Sequence, residues 1–511
     1  MILAVISAIL GILAFPLSGI YPLGFIFLAP LFVFLIKERS LLRLLLGVSL
    51  FRFILGIGVL FFAFDPIIFI LSILVFLGLP LSVFLLRRFI KKMAPRISIR
   101  KEISCLLILM PFLWTFWELI EAKYSFLPTF TLMAGNIFGS SPFLGLAAIG
   151  GLAGLTFFAA VINSLIAFLA LNFKKLPPAQ IDRLKTSMII LAIIFLISGS
   201  YLVSRSKLSQ NALNYQNLPD KFEVALVSSA NNFGQEFRFF KHDVLSPEEK
   251  IIAETLMEKK INLIKDGLYG KKIDLIILPE DLIGIESWQD PDTEAENKFG
   301  IENGGVLIRA YRRLAQNLDA NLAATLPTIQ NSKRYNSTIV FNRKGELTDI
   351  YNKFNLTIGG EYWPFGNWQP FYYKLLEKKM IKFNQGRAMF DKEYAYERGE
   401  KKVLKIENLI FGSAICSEAQ YPWQIKEFKK MGAKFISHTA TNRWIIFGLS
   451  NFRELTDNLR KIEAVWLDTP ILINGRQEMA GLITPDGKIN SADFKSQNKN
   501  FGIFIGEIKI K

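Results

Sequence analysis

A chain of 511 residues with two cysteines and two histidines has few ways to do nucleophilic chemistry. Cys105 lies in an apolar run and Cys416 far downstream, so they make no disulfide framework, and neither has the spacing of a zinc ligand. His242 and His438 alone cannot build a histidine-rich metal site and leave a Ser-His-Asp hydrolase few candidates. The base for a nucleophile in this chain is therefore expected to be a carboxylate or a lysine. Three residues fit by position: Glu280 ends IDLIILPE, Cys416 ends LIFGSAIC, and Lys353 follows the strand-like ELTDIYNK. Each stands at or just beyond the end of an apolar run, where ligands gather in layered α/β sheets. Alone, a glutamate or lysine after a strand is usually a solvated loop residue and a cysteine there a small core residue; their joint placement is what points to chemistry.

That chemistry is specific. A thiol whose ordinary pKa is near ~8.5 becomes a good nucleophile when a base removes its proton or a cation favours the thiolate. Glu280 suits the base. Lys353 supplies positive charge where a tetrahedral oxyanion develops, usually the largest contribution in acyl transfer. No cofactor and no metal is called for.

The elements that position these residues form an α/β region. Short β-branched runs occur at 222–228, 273–278, 321–326, 337–341, 409–415, 433–437, 470–474 and 479–484, with helical patterns at 246–266, 303–318, 420–431 and 450–466. Strands alternating with helices, with some hairpin-like pairs, predict a layered domain with a mixed sheet over 222–511. Residues 204–221 are polar and read as a linker.

Residues 1–203 are different in kind, with 16 Lys or Arg and 6 Asp or Glu against 44 and 38 in the remainder. A composition of 51% hydrophobic residues and a mean hydropathy of +0.31 also exceeds that of ordinary soluble proteins. Runs at 1–17, 20–36, 42–64, 66–86, 103–121, 144–172 and 187–203 predict about seven transmembrane helices, the first retained rather than cleaved as a signal peptide. Fourteen basic residues fall in alternate loops: Lys37, Arg39 and Arg43, then seven between Arg87 and Lys101, then Lys174, Lys175, Arg183 and Lys185. Retention of Lys and Arg on the cytoplasmic side then places the N-terminus inside and everything after residue 203 outside. The net charge of +16 thus reflects topology more than nucleic-acid binding. Arg52, near the middle of the third run, reads either as a snorkelling or water-exposed arginine or as a partner for a lipid phosphate or a carboxylate. Trp114, Trp117 and Glu118 read as an interfacial belt or as the floor of a lipid cleft.

Taken together, LPE at 278–280, YNK at 351–353, GGEYWPF at 359–365 and AICSE at 414–418 resemble the nitrilase, or carbon-nitrogen hydrolase, superfamily in order and context. With the helices in front, the chain resembles the apolipoprotein N-acyltransferase family. MPFLWTFWE at 110–118, GGLAGLTFFAAVIN at 150–163 and the closing ITPDGKI at 483–489 also resemble that family. The resemblance implies an α-β-β-α sandwich in which Glu280 is the general base, Lys353 stabilises the oxyanion and Cys416 forms a thioester. It gives Glu361 and Glu418 supporting roles around the thioester, and Asn336, in RYNST, a positioning role. It further implies a phospholipid acyl donor, a diacylated apolipoprotein acceptor, contact with membrane lipid, a bacterial inner membrane with the catalytic domain on the outer face, and a monomer without cofactor.

Departures bear on the acceptor. Ser417 stands where the family usually has tyrosine, HTATNRW at 438–444 and LTIGGE at 356–361 replace family loops, and Ser228, Ser229 and Ala230 replace a Gln-Gly-Asn. The family usually closes with a further transmembrane helix, whereas this sequence ends FGIFIGEIKIK. Alternative readings are a nitrilase-type amidase or an acyltransferase with another acceptor, an acyltransferase module serving a polyprenol-linked glycosyltransferase, or a non-catalytic membrane receptor or transporter with a degenerate domain. Joint retention of Glu280, Lys353 and Cys416 argues against the last.

Overall fold

The computed structural model describes residues 1–16, 19–60, 66–124, 129–173, 180–229, 247–280, 291–358, 360–366, 368, 395–441, 451–476, 480–492 and 501–510. The described helices are α1 (Ile2–Ala14), α2 (Ala29–Lys37), α3 (Leu41–Leu60), α4 (Pro66–Phe76), α5 (Gly78–Met93), α6 (Ile99–Tyr124), α7 (Ala147–Phe173), α8 (Gln180–Gln216), α9 (Pro247–Leu268), α10 (Thr293–Phe299), α11 (Gly305–Leu318), α12 (Pro422–Lys430) and α13 (Asn451–Leu467). The strands are β1 (Asp220–Ser229), β2 (Leu275–Ile277), β3 (Asn321–Gln330), β4 (Lys333–Phe341), β5 (Leu347–Asn352), β6 (Leu404–Ile406), β7 (Leu409–Ile415), β8 (Phe435–Thr441), β9 (Ile471–Arg476), β10 (Ala480–Ile483), β11 (Ile489–Ala492) and β12 (Phe501–Ile510). They divide into two compact units, Met1–Asn211 with Phe447–Asp468, and Ala212–Ile446 with Thr469–Lys511.

In the first unit, five apolar helices among the described residues are long enough to cross a membrane: Leu41–Val59, Ile70–Met93, Ile99–Tyr124, Leu144–Leu171 and Ser187–Gln216. Two of the seven expected spans are shorter apolar segments, Ile2–Ala14 and Tyr21–Lys37. Proline interrupts the second. Pro22 and Pro30 each sit in the first turn of a new helical segment, so no continuous ladder runs through the region.

Burial of backbone in an apolar unit requires that its polar groups be met by protein. Asn163 of α7 does this at the start of α2: its Oδ1 accepts from the Leu28 and Ala29 amides at 2.8 and 3.0 Å, and its Nδ2 donates to Gly24 and Ala159 carbonyls. Arg87 of α5 does it at the other end of α2. Its guanidinium donates to the Leu35, Ile36 and Glu38 carbonyls and lies 3.2 Å from Glu102 of α6, which also meets Arg39 at 3.0 Å.

The residues expected as a linker instead continue α8 to Gln216, three residues before β1 begins. Their polar side chains are used internally. Ser204 accepts from the Gly145 amide at 2.8 Å and donates to the Pro142 carbonyl, and Asn211 donates to the Val465 carbonyl. Large side chains higher on α8, such as Phe195 and Leu202, are exposed, as a lipid-facing helix requires. Helix α13, expected within the α/β region, is grouped with the membrane helices. Asn136 and Asn458 exchange hydrogen bonds with the backbones around Leu455 and Asn136, and Trp466 lies over Gly151, where α7 kinks at a φ of +59°. A Cβ at Gly151 would come within 2.7 Å of the Trp466 ring, so only glycine fits both the backbone and the contact.

The second unit contains a β sandwich. Strand order is β5-β4-β3-β2-β1-β9-β8-β7-β6, with β12 antiparallel to β1, β10 antiparallel to β9 and β11 antiparallel to β10. Strands β1, β2 and β3 are parallel, as are β7, β8 and β9. Helices α9 and α11 cover the first half through Met257, Ile264, Leu307, Tyr311 and Leu314, which pack on Ala225, Ile276 and Leu322. Helix α12 covers the second half through Phe428 against Gly412 of β7. The inner faces meet where Thr338 of β4 and Ser413 of β7 share a hydrogen bond of 2.8 Å. The result is the expected helix, sheet, sheet, helix layering.

Replacing Arg87 by alanine would leave three carbonyls without their donor and the buried Glu102 without the buried one of its two cations, the other being the half-exposed Arg39. Loss of one partner from a buried ion pair costs about 3–5 kcal/mol. Arg87→Ala should therefore lower the thermal midpoint of the detergent-solubilised protein markedly, and Arg87→Lys, which keeps the charge and loses the planar fork, should fall between the two. An unchanged midpoint for Arg87→Ala would show that the capping of α2 contributes nothing.

Candidate active site

Strand β7 delivers the cysteine. Leu409 to Ile415 alternate in extended form, and Cys416 then opens a single turn, Cys416–Gln420, with a φ of +52°. A residue with a Cβ in the left-handed region stores on the order of 1–3 kcal/mol and persists only where its surroundings hold it. Here the Glu418 carboxylate holds it. Its Oε2 accepts from the Ile415 amide at 2.9 Å, and its Oε1 accepts from the Phe354 and Asn355 amides, the Tyr351 hydroxyl and the Gln424 amide, all within 3.0 Å. Glu418 thereby ties the turn after β7 to the end of β5. Burial pushes its carboxyl above the ordinary range, against the pull of Lys353 and these donors.

The end of β5 delivers the lysine. Lys353 is buried, its amide donates to the Asn336 carbonyl of β4 at 2.8 Å, and its Nζ lies 2.9 and 2.8 Å from the two oxygens of Glu361. Asn336 binds the two carboxylates of the site together, donating from Nδ2 to Glu280 at 3.0 Å and to Glu361 at 2.9 Å. Glu280 stands three residues past β2, its amide donating to Thr439 of β8 at 2.7 Å. The neighbouring His438 meets the Cys416 carbonyl at 2.8 Å through Nε2. Two adjacent residues of β8 thus hold both Glu280 and Cys416.

All six residues expected at the site in this unit, Glu280, Asn336, Lys353, Glu361, Cys416 and Glu418, fall into one connected constellation. Tyr351, Thr357, Gln424 and Thr439 join them. Only context distinguishes these four, because a tyrosine in a strand, a threonine in a loop and a glutamine in a helix carry no reactive signature.

Electrostatics decides what the constellation can do. Burial pushes the Cys416 thiol up to about 12; Glu280 and Glu361 add to this, while Lys353 and a hydrogen bond from the Ser417 amide oppose it. Burial alone would lower Lys353, yet Glu361, Cys416, Glu280 and Glu418 together raise it above the ordinary lysine range, so the ammonium is permanent at neutral pH. At rest the thiol is neutral. A thiolate beside an ionised Glu280 is unfavourable, whereas moving the proton from sulfur to Glu280 keeps the local charge unchanged. The site therefore holds a neutral thiol beside a carboxylate that can take its proton.

The residues expected at a lipid cleft lie in the first unit. Arg52 is buried and paired with the Glu121 carboxylate, its guanidinium 4.3 Å from the centre of the Phe76 ring; of the readings open for it, the carboxylate partner is the one present. Trp114 is fully buried among Phe32, Phe51 and Phe76, and Glu118 is buried against the Ala134 amide. Close packing of four aromatic rings absorbs the tryptophan. Trp117 donates to Ser82 at 3.0 Å. Within HTATNRW, residues 442–444 lie outside the described residues, as does Ala230.

Residues 250–467 match the carbon-nitrogen hydrolase family, and residues 7–165 match the apolipoprotein N-acyltransferase N-terminal domain. Among curated proteins, the chain is similar to an apolipoprotein N-acyltransferase of Aquifex aeolicus, 25% identical over 49% of this chain and 50% of that protein. It is also similar to one of Geobacter metallireducens, 22% identical over 94% of this chain and 86% of that one. The chain thus spans about half the length of the first of these relatives. Among solved structures, Saccharomyces cerevisiae Nit3, a member of branch 10 of the nitrilase superfamily, matches 57% of this chain and 91% of its own at 17% identity and a TM-score of 0.38.

Alkylation of Cys416 by iodoacetamide should be slow at neutral pH and rise with pH up to the alkaline limit of the protein's stability. Glu280→Gln removes a charge that raises the thiol, so alkylation at a given alkaline pH should become faster. Acyl transfer in the same variant should slow on the order of 10² to 10⁴-fold through loss of the base. Slower alkylation in Glu280→Gln would show that Glu280 does not act on the thiol.

Proposed function

We propose, from the premise that the chain belongs to the apolipoprotein N-acyltransferase family, that it moves an acyl chain from a phospholipid to the α-amine of a diacylglyceryl-cysteine at a lipoprotein N-terminus, through a Cys416 thioester. The observation that carries this reading is the placement of Cys416 in a left-handed turn at the end of β7, with Glu280 and Lys353 acting on its thiol from opposite electrostatic directions.

In the first half-reaction, the Cys416 sulfur attacks the ester carbonyl carbon and its proton passes to Glu280. The carbonyl π pair moves to oxygen, and Lys353 stabilises the resulting oxyanion, its position fixed by Glu361. Collapse breaks the bond to the glycerol oxygen, which takes the proton from Glu280 and leaves as the lysophospholipid. In the second, the acceptor amine attacks the thioester and gives its proton to Glu280. The carbon–sulfur bond breaks, and the departing thiolate recovers the proton. The net change is transfer of one acyl group, with the enzyme restored.

The membrane unit fits such a substrate pair, since a lipid donor and a lipid-anchored acceptor meet in the plane of a bilayer. The 14 basic residues in alternate loops favour a cytoplasmic N-terminus and place the α/β region on the outer face of the inner membrane. The chain would act as a monomer. Ser417, where the family usually has tyrosine, favours as a second reading an acyltransferase of the same mechanism with a different amine or alcohol acceptor.

Mass spectrometry of the protein purified in native lipid should find an acyl adduct on Cys416 that is absent from Cys416→Ala and decays when a diacylated lipopeptide is added. Full transfer activity in Cys416→Ala would refute the cysteine mechanism. An adduct that decays only with another amine or alcohol would establish the second reading.

A reporter active only outside the cytoplasm, fused after Lys511, should give signal. Signal only from a cytoplasmic reporter would reverse the orientation.

A further inference from the structure

Thr357 and Ser417 sit between the lysine and the nucleophile and have no part in the steps above. The Lys353 Nζ carries only hydrogens, so Thr357 Oγ1 accepts from it, at 3.3 Å. Thr357 Oγ1 and Ser417 Oγ lie 2.8 Å apart. That contact consumes one of the two hydroxyl hydrogens, whichever residue donates. The other has no protein acceptor among the described residues, because these are the contacts the two hydroxyls make. Among the described residues, the pair that joins Lys353 to the residue after Cys416 therefore keeps one spare O–H donor.

Its position is also fixed in advance. The Thr357 amide donates to Glu361 at 2.7 Å, and the Glu361 amide donates back to the Thr357 carbonyl at 2.8 Å. Ser417 is largely buried and follows Cys416 directly in the chain. Donors held rigidly where negative charge develops stabilise it without reorganising.

We propose that Thr357 and Ser417 form a hydroxyl relay that carries a hydrogen bond from the Lys353 ammonium to the acyl oxygen at Cys416. The inference rests on the thioester reading above. As the carbon–sulfur bond forms and the carbonyl π pair moves to oxygen, the spare hydrogen donates to that oxygen. When the intermediate collapses and the bond to the leaving oxygen breaks, the contact weakens again. No proton changes owner. In the relay Thr357 donates to Ser417 and the spare hydrogen is on Ser417; this extends the reach of a lysine whose ammonium is already directed at Glu361, and it makes Ser417 a catalytic residue and Thr357 a positioning one.

The test is single-turnover acylation of Cys416 in the full-length protein in detergent, using 4-nitrophenyl octanoate and the corresponding thionoester, whose sulfur is a poor hydrogen-bond acceptor. Ser417→Ala should slow acylation by the oxygen ester on the order of 10 to 100-fold and leave the thionoester rate nearly unchanged. Ser417→Thr should restore most of the rate. Thr357→Val should reproduce the loss, and Ser417→Ala with Thr357→Val should lose no more than either alone, since both break one relay. Equal slowing of both esters would mean that the pair only packs the site, and an unchanged rate would mean that it takes no part; each overturns the relay. The Cys416→Ala control separates the two claims. If it still forms the adduct, the thioester reading fails and the relay with it, whereas a dead control beside a fully active Ser417→Ala removes the relay alone.

Discussion

The arrangement around Cys416 depends on a buried ion pair. Lys353 is enclosed by protein, and a buried ammonium without a partner would be strongly unfavourable or would lose its proton. Glu361 prevents both, meeting Nζ with both oxygens. The same carboxylate accepts from Asn336 and from the Thr357 amide, so the pair that keeps the lysine charged also sets the positions of the groups beside it. A fixed positive charge is what allows the site to combine an acidic base and a thiol in one enclosed volume.

A second carboxylate has a mechanical task. Glu418 collects five donors from three segments of chain: the end of β7, the residues after β5 together with Tyr351, and Gln424 of α12. Hydrogen bonds to a buried charge are individually stronger than neutral ones, and here they offset the backbone strain at Cys416. The nucleophile is thus presented by a turn that its own sequence would not favour, held by a residue two positions on. The neutral resting thiol follows from the same enclosure. Excluding water makes the thiolate costly until a proton acceptor is available.

The membrane unit obeys a parallel rule with different residues. Asn163, Arg87 and the Arg52–Glu121 pair each place a polar or charged group in apolar surroundings, and each is directed at backbone or at an opposite charge. These residues join helices that hydrophobicity alone would leave free to slide, since lipid chains are as apolar as leucine. Polar atoms in this chain therefore specify the fold where the hydrophobic effect cannot.

From the sequence alone, the division into an apolar helical half and an α/β half was legible, as were, though not for β6, β11, β12 or α10, most strand and helix positions of the latter. Their periodicity is local, and it survives folding. That Glu280, Lys353 and Cys416 come together was legible for a related reason: each lies at or just past the end of a strand, and strand ends are marked by short apolar runs. What only the tertiary structure decided is whatever depends on a partner distant in the chain. The polar stretch at 204–216 is helical because Ser204 and Asn211 find buried acceptors and donors that no local pattern discloses. Arg52 is neutralised by Glu121 from another helix, and Trp114 is enclosed by rings from three others. Helix α13 associates with membrane helices through Asn458 and Trp466, although its sequence neighbours are strands. Likewise His438, Thr439, Thr357 and Ser417 became part of the site only when β8 and the loop after β5 were brought to the cysteine, because a hydroxyl or a ring nitrogen acquires a role from the atom opposite it, and that atom is chosen by the fold.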